Sequence, residues 1–279
     1  MLYFPHDKRC PPYSVGYMSD FASRILHCDA VCVVVNKTIG EAAEGAAKGM
    51  GCLPTLLAAE LAAPCYPPPS PKDALSAPTA VHRLDVPVSG CTLFARGKSA
   101  LRFLNDAFSQ GATCQGAVEK RYWAIVEQPR GNFEVPRVPE NGSSESVELV
   151  HWVQFDSRRN KSIAHDEPGP DRKKAILRYR FVGKGRDYLF MEVELVTGRH
   201  HQIRAQLERL GLHIKGDLKY GARRSEKAGG IRLHARSLSF PAPTGACPTG
   251  DDGRITVQAD PPLQDSLWQA FHTTVDDSI

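Results

Sequence analysis

A short segment of the chain, VHRLDVPVSG at 81–90, places one carboxylate among basic and turn-forming residues. Asp85 follows His82 and Arg83, and a proline and a Ser-Gly pair come within the next five residues. Residues of these types favour a tight turn, from which a carboxylate can project into a cleft. Standing alone, such an aspartate is usually a surface ion pair or a turn residue. In a cleft the same group can act as a nucleophile or as a general base, so Asp85 is a candidate catalytic residue.

A second segment, LVTGRHHQIRAQLERLGLHIKGDLKYG at 195–221, gathers basic side chains at the predicted start of a helix. A strand is predicted to end at Gly198, and apolar residues then repeat at helical spacing until Gly211, a favourable residue for a helix C-terminus. The first turns carry Arg199, His200, His201, Gln202 and Arg204. Because a helix N-terminus favours anions, cations there indicate a negative partner, which could be a carboxylate, a phosphate or both.

The elements that must position these residues are mostly strands. Apolar runs that alternate or are rich in β-branched residues predict strands at 25–37, 90–96, 120–127, 149–155, 175–182, 188–198, 231–240 and 254–259. Helices are predicted at 53–63 and 98–108, besides the one after Gly198. The proline-rich stretch 64–78 is predicted to be an extended connection, and 156–174 a charged hairpin-like loop. Because strands outnumber helices and mostly follow one another directly, we expect an α+β fold with a mixed, mainly antiparallel central sheet and flanking helices.

The composition of the 279-residue chain limits its class. Hydrophobic residues make up 42% of it, and the formal net charge of +4 is compatible with binding a polyanion. No apolar run of about 18 residues and no signal-peptide pattern occurs, so we expect no membrane partner. The eight cysteines form no C-x-x-C pair, which is typical of reduced thiols in an intracellular protein. Cytoplasm, nucleus and organelle are not distinguished.

Several segments together resemble one known family. HRLDVPVSG is similar to the catalytic motif of the RluA-type pseudouridine synthases, whose usual form is H-R-L-D-x-x-T-S-G. TGRHHQIRAQLERLGLHIKGDLKYG resembles the family's T-G-R-x-H-Q-I-R segment with its downstream G-D-x-x-Y-G, and KRYWAIVE resembles its K-x-Y-x-A strand. The first strand and IRLHARSLSFPAP also match in order and kind. Several motifs in the right order argue against chance agreement.

The resemblance covers residues 25–262 and implies a pseudouridine synthase catalytic domain with a catalytic cleft. We expect residues 1–24 to be an irregular extension and 263–279 a C-terminal tail. Many relatives carry an N-terminal RNA-binding domain of the S4 type, for which 24 residues are too few, so no S4 domain is expected. The chain departs from the family pattern at three positions that bear on loop geometry and substrate identity: Thr38, Val88 and Gln206, where Pro, Thr and His are usual.

The resemblance implies isomerisation of uridine to pseudouridine in RNA, with Asp85 as the catalytic carboxylate. This reaction is redox-neutral, so we expect neither a metal nor an organic cofactor. Asp85 would attack C1′ of the ribose, attack C6 of the base or remove a proton at C2′, and the sequence does not choose among these routes. Arg199 is the implied ion-pair partner of Asp85, and Arg204 is the alternative.

The remaining site residues are expected to bind substrate. By resemblance, Arg83 would hold the RNA with the target nucleotide extruded from its stack, and Tyr122 would pack on the uracil. His82 and Gln202 are also placed among the substrate-binding residues. His82 could instead donate a structural hydrogen bond, and Gln202, like His201, could position the loop.

Two other functions are compatible with parts of the sequence. A noncatalytic RNA-binding protein or RNA chaperone could use the same fold, although Asp85, Tyr122 and Arg199 together favour an enzyme. A metal-dependent phosphodiesterase would need converging ligands at a spacing that the histidines and cysteines do not offer. The expected partner is RNA, either tRNA or rRNA, and the oligomeric state is not predicted. The basic pairs at 158–159 and 173–174 are either solvated or RNA contacts.

Overall fold

The computed structural model describes residues 21–45, 52–109, 118–129, 145–262 and 265–276. Over these ranges the chain forms an eleven-stranded sheet with helices packed on it. The strands are β1 (Ile25–Cys28), β2 (Cys32–Lys37), β3 (Ala74–Ala80), β4 (Ser89–Gly97), β5 (Glu119–Glu127), β6 (Val147–Asp156), β7 (Lys161–His165), β8 (Arg172–Lys184), β9 (Tyr188–Leu195), β10 (Leu233–Pro241) and β11 (Arg254–Gln258). The helices are α1 (Leu53–Glu60), α2 (Lys98–Ser109), α3 (Gln202–Arg209) and α4 (Ser266–Asp276), with short 3-10 turns at Ala22–Arg24 and Leu218–Tyr220.

The strands run in the order β1-β2-β4-β10-β5-β9-β8-β6-β7, while β3 adds to β4 and β11 to β10. Among the described strand pairs, β4 and β10 are parallel and the others are antiparallel. The parallel pairing is short, with His234 opposite Ser89 and Ala235 opposite Gly90. It joins the strand after the Asp85 segment to the centre of the sheet. The expected α+β fold with a mixed, mainly antiparallel sheet is therefore confirmed.

Strand β5 lies at the centre, and its alternation divides the core between two faces. Tyr122, Ala124 and Val126 point to the face covered by α3, where they join a buried cluster with Ile203 and Leu207. The residues between them point to the opposite face, which α4 covers. This division puts Tyr122 on the same side of the sheet as the helix whose first turns are basic.

The opposite face of β5 shows why the domain extends past 262. Trp123 and Ile125 pack there against Trp268 and Phe271 of α4, and the ring centroids of Trp123 and Phe271 are 4.6 Å apart. The expected boundary had left residues 263–279 as a tail. Within the described part of that stretch, the chain is a helix that buries two aromatic side chains on the sheet.

Three further expectations about the elements were wrong in detail. The strand predicted at 25–37 is a hairpin, because Oδ1 of Asp29 accepts hydrogen bonds from the main-chain N–H groups of Val31 and Cys32 and turns the chain. The proline-rich connection ends in β3. The charged hairpin-like loop at 156–174 contains a strand, β7, which pairs antiparallel with β6 and buries Ser162 and Ala164.

Gly90 allows the close approach of β4 to β10. Its φ is +116°, and a Cβ at this position would overlap the main chain of Ala235. Glycine is the residue that adopts such a conformation without steric cost. The Ser-Gly pair after Asp85 therefore serves both the turn and the parallel strand contact.

Within the described ranges, no helix combines the length and the apolar character needed to cross a membrane.

Candidate active site

A cavity of about 570 Å³ opens between the Asp85 segment, β5 and the start of α3. All seven residues that the sequence singled out as site residues line it: His82, Arg83, Asp85, Tyr122, Arg199, Gln202 and Arg204. Leu84, Val88, Leu195, Ile203 and Leu233 supply apolar wall. The folded chain thus brings two distant segments and one strand to a single site.

The loop that carries Asp85 is fixed from below by a buried lysine. Lys37, at the end of β2, donates hydrogen bonds to the carbonyl oxygens of Thr38 at 3.0 Å, Val86 at 3.2 Å and Val88 at 2.6 Å. Burial lowers the pKa of Lys37 to about 8, against the opposing charge of Glu41. The main-chain N–H of Val88 also closes a turn onto the carbonyl of Asp85 at 2.9 Å. These contacts hold the loop so that the Asp85 side chain faces the cavity, 23% exposed.

Arg204 is the cation that meets Asp85. Its Nη1 lies 2.9 Å from Oδ2 of Asp85. Its Nε and Nη2 donate to the two carboxylate oxygens of Asp217 at 2.7 and 2.9 Å, a bidentate pair of the geometry that guanidinium groups favour. The guanidinium also lies 4.7 Å from the ring centroid of Tyr220. Burial alone would lower the pKa of Arg204, but the hydrogen bonds and charges of Asp217 and then Asp85 raise it.

The expected pairing of Asp85 with Arg199 is wrong. The Nε of Arg199 donates to the carbonyl oxygen of Lys174 at 3.0 Å, at an exposed position. The reason is that α3 begins at Gln202: Arg199 precedes the helix and is exposed, whereas Arg204 lies in its first turn and is buried. The alternative, Arg204, is the partner, and Arg199 remains in the cavity wall.

His201 forms the other contact to the carboxylate. Its Nε2 lies 3.5 Å from Oδ2 of Asp85, and its Nδ1 lies 2.9 Å from the hydroxyl of Tyr220. Burial, followed by the charge of Arg204, lowers the pKa of His201 to about 3, so the ring is neutral near pH 7. The residue has a φ of +50°, in the left-handed region that a non-glycine residue seldom adopts. The contact with Asp85 is therefore between a carboxylate and a neutral ring.

Tyr122 brings a buried aromatic ring to the cavity from the centre of β5. Burial, and then the charge of Asp85, raise the pKa of its hydroxyl, so it is protonated near pH 7. A ring that is held by the sheet can take a flat ligand against its face with little loss of side-chain entropy.

His82 and Gln202 make hydrogen bonds within the protein. Nε2 of His82 accepts from the N–H of Leu93 at 3.2 Å, and its ring stacks on Phe108 at 5.0 Å. Burial lowers the pKa of His82 to about 3. Gln202 accepts from the hydroxyl of Thr197 at 2.8 Å and from the N–H of Arg199 at 2.9 Å. Both residues line the cavity while their polar atoms hold its walls.

Arg83 stands at the mouth of the cavity. Its side chain is 69% exposed, and its Nη1 lies 3.6 Å from Oε2 of Glu44, which is itself 44% exposed. An ion pair this exposed contributes little stability and is easily exchanged for another anion. Arg83 is therefore free to meet an external phosphate without unfolding its surroundings.

Comparison with known proteins identifies the family to which this chain belongs. The RNA pseudouridylate synthase family model matches residues 33–209, more than half of the chain. An uncharacterized RNA pseudouridine synthase of Zymomonas mobilis is 31% identical over 225 residues, which cover 80% of this chain and 90% of that protein. The tRNA pseudouridine synthase C of Haemophilus ducreyi is 32% identical over 201 residues, which cover 68% of this chain and 73% of that protein.

The chain belongs to the RNA pseudouridylate synthase family.

A solved structure supports the same fold. Human RNA pseudouridylate synthase domain containing 4 superposes with a TM-score of 0.59 at 19% identity, over 92% of this chain and 94% of that one. Membership in the family, together with its named relatives, makes this chain an RNA pseudouridine synthase, an isomerase that acts on uridine in RNA. The predicted family, activity and RNA partner are confirmed.

Three polar residues of this pseudouridine synthase site were not assigned a role from the sequence. Asp217 and Tyr220 lie in the G-D-x-x-Y-G segment, which was matched to the family as a motif only. Asp217 pairs with Arg204, and the hydroxyl of Tyr220 bonds to His201. The G-D-x-x-Y-G motif was the sequence signal that could have identified both residues. Lys37 could not have been found by spacing, because its three acceptors are main-chain carbonyls.

Away from the synthase cavity, His27, Asp29 and Cys32 place donor atoms within 4.8 Å of one another. The Asp29 carboxylate is already occupied by hydrogen bonds. Its Oδ2 lies 2.9 Å from Nε2 of His27 and accepts from the N–H of Cys247 at 3.0 Å, and its Oδ1 accepts from two main-chain N–H groups. These hydrogen bonds explain the cluster: Asp29 connects the β1–β2 turn to the loop that carries Cys247.

Proposed function

We propose that Asp85 is the catalytic carboxylate of this pseudouridine synthase and that its target is a uridine in a structured tRNA or rRNA. The observation that carries the assignment is the position of the Asp85 carboxylate, which lies 2.9 Å from Arg204. It lines the same cavity as Tyr122. Within the cavity lining, Asp85 is the one carboxylate. The pairing holds one carboxylate oxygen in a single orientation while the side chain stays partly exposed to a ligand.

Isomerisation of uridine to pseudouridine needs a carboxylate of this kind and involves no net oxidation or reduction. The C1′–N1 bond of uridine breaks, the uracil rotates, and C5 bonds to C1′. An ionised carboxylate can attack C1′, attack C6 or remove the proton at C2′, and the geometry without substrate favours none of the three. Arg204 donates a hydrogen bond to the carboxylate and holds one of its oxygens in place. His201 is neutral near pH 7, so it brings no second positive charge to Asp85.

Tyr122 and Arg83 are proposed to act on the nucleotide before this step. The uridine must leave its stack to reach Asp85. Stacking on an aromatic ring stabilises an extruded base by about 1–3 kcal/mol and tolerates rotation in the plane of the ring. The exposed guanidinium of Arg83 would meet a phosphate next to that base, replacing its weak contact with Glu44.

Two observations bear on the choice between tRNA and rRNA. The formal net charge of +4 suits either polyanion. One of the relatives above is named for action on tRNA. We therefore place tRNA first and rRNA second, and mapping of pseudouridine in both RNA pools, with and without this protein, distinguishes them. Loss of a single site in one pool would identify the target.

The test of catalysis is Asp85→Asn. This change keeps the shape of the side chain and removes its charge, so we expect a folded protein that binds RNA and does not isomerise it. Release of tritium from RNA labelled at uracil C5 reports turnover, since bond formation at C5 displaces that hydrogen. Asp106→Asn, at an exposed position of α2, is the matched control and should retain full activity.

Two outcomes would contradict the proposal in different ways. Turnover by Asp85→Asn at the wild-type rate would remove Asp85 from the chemistry. RNA binding by the wild-type protein without any tritium release, across total tRNA and rRNA, would favour a noncatalytic RNA-binding protein on this fold.

A further inference from the structure

Four cations line the cavity against the single carboxylate of Asp85: Arg83, Lys120, Arg199 and Arg204. The three arginines each have a partner in the protein, as described above. Lys120 differs from them. Among the residues that the structure describes, none forms a hydrogen bond or an ion pair with its ammonium group.

The ammonium of Lys120 lies within the cavity wall. Its Nζ is 5.8 Å from the ring centroid of Phe108 and would lie 3.7 Å from a Cβ at Gly198, and both of these residues line the cavity. Burial lowers its pKa to about 8, so the group is largely charged near pH 7. Lys120 is half-buried, and withdrawing a charge from water without a partner costs free energy. Such a group in a cleft is a candidate to contact a ligand.

The position of Lys120 on β5 aligns it with the uracil-binding ring. Lys120 and Tyr122 are two residues apart on one strand, so their side chains leave the sheet on the same face. Arg83, which is suited to a phosphate, stands at the exposed mouth instead. Lys120, on the same face of β5 as Tyr122, is therefore positioned to contact the base and not a backbone phosphate.

We propose that Lys120 is a substrate-contacting residue whose ammonium donates a hydrogen bond to a carbonyl oxygen of the uracil during isomerisation. This inference rests on the proposed function, because it takes the cavity to be the uridine site.

The step that needs this cation is the detachment of the base. When the C1′–N1 bond breaks, its electron pair stays on the ring and spreads over N1, O2 and O4. C5 then bonds to C1′, the hydrogen on C5 leaves as a proton, and N1 takes up a proton. The ammonium keeps its own protons throughout. A fixed donor aimed at developing negative charge stabilises the transition state more than the ground state.

The geometry of rotation makes one fixed donor sufficient. Turning the ring about its N3–C6 axis brings C5 to the place of N1 and exchanges O2 with O4. An ammonium at one carbonyl position therefore meets an oxygen before and after rotation. Lys120 would therefore hold the uracil ring while the ring has no covalent bond to the ribose.

The test compares Lys120→Met and Lys120→Arg with the wild-type protein. We expect Lys120→Met to fold, since it replaces a half-buried ammonium, for which the described residues supply no partner, by an apolar chain. We expect it to lower kcat by roughly 100-fold, the cost of removing one oxyanion donor. RNA affinity and the slope of its salt dependence should stay unchanged. If Lys120 met a phosphate instead, KM would rise, kcat would persist and the salt slope would fall by about 1. That result would overturn the inference.

A pH profile gives a second readout that a structural role would not move. Wild-type kcat/KM should fall above about pH 8, where Lys120 loses its proton. Lys120→Arg should retain part of the activity and lose that alkaline limb. An alkaline limb that is the same in the wild-type protein and in Lys120→Arg would count against the assignment.

Controls separate this inference from the proposed function. Lys98→Met, at an exposed position at the start of α2, should leave kcat and KM unchanged. Absence of tritium release from the wild-type protein means that the proposed function fails. Release by the wild-type protein with undiminished kcat in folded Lys120→Met, checked by circular dichroism, means that only the role of Lys120 fails.

Discussion

Arg204 reaches Asp85 across 119 residues of sequence, with Nη1 2.9 Å from Oδ2. The same guanidinium is held on its other edge by both oxygens of Asp217. Asp217 therefore fixes where the positive charge sits, and Arg204 in turn fixes the carboxylate that faces the cavity. Because Arg204 and Asp217 are buried, removing the cation leaves negative charge without a partner.

This arrangement predicts that Arg204→Ala is strongly destabilising and Arg199→Ala is not. Breaking a buried pair by removing one partner typically costs about 3–5 kcal/mol, whereas an exposed contact like that of Arg199 costs less than about 1 kcal/mol. Urea unfolding measures the difference. Equal losses of the free energy of unfolding in the two variants would show that the pairing is misassigned.

A double-mutant cycle checks the same prediction. Combining Arg204→Ala with Asp217→Asn should cost less than the sum of the single changes, since the second change removes the charge left by the first. Combining Arg199→Ala with Asp85→Ala should give additive losses, because those two side chains do not meet.

Tyr122→Phe is expected to retain RNA binding, because the ring and its stacking face remain. Any activity that it loses would then belong to the hydroxyl, which is protonated near pH 7 and could carry a proton to or from the base. Tyr122→Leu should weaken binding as well, by about 1–3 kcal/mol if a base stacks on the ring. Binding is measured by fluorescence anisotropy of labelled RNA. Loss of binding in Tyr122→Phe equal to that in Tyr122→Leu would contradict the stacking role.

Acidification should destabilise the protein between about pH 6.5 and pH 4. The pKa values of His82 and His201 are lowered to about 3 and that of His234 to about 4, in each case first by burial. In this window the unfolded chain binds more protons than the folded one, so the free energy of unfolding falls as pH falls. Each of these histidines contributes up to about 2 kcal/mol of loss by about pH 5.

The measurement is urea unfolding at several pH values. His82→Gln keeps an acceptor for the N–H of Leu93 and removes one titrating group, so its stability should depend less steeply on pH in the same window. A variant with the wild-type slope would mean that His82 is not the group that takes up the proton.

The sequence predicted correctly the position of those cavity residues whose own motif also determines the local backbone structure. Asp85 and Tyr122 lie in the cavity because each motif also encodes its local element, a turn and a strand. The ion-pair partner was harder, since both Arg199 and Arg204 lie near the start of α3 and the true first residue of the helix decides which faces inward. Spacing alone does not fix a helix start to within the two or three residues that matter here.

Other features depended on contacts that no local pattern contains. Strand β7 follows a charged turn, and its alternation is weak in hydrophobicity because one inward residue is Ser162. Helix α4 is stabilised by burying Trp268 on the sheet, which requires the sheet to exist first. That the described residues offer the ammonium of Lys120 no hydrogen-bond or ion-pair partner can be seen only in the folded structure.

The short parallel contact between β4 and β10 also sets an order of events during synthesis. Ser89 and Gly90 leave the ribosome long before His234 and Ala235, which are their partners in the sheet. The Asp85 turn therefore emerges without the neighbour that completes its wall, and Arg204 follows it by more than a hundred residues. Pairings this distant along a chain form slowly, since the intervening loop must first be closed. A nascent chain that ends before β10 would hold the Asp85 motif without a complete cavity, so the proposed uridine site forms only when this late strand docks.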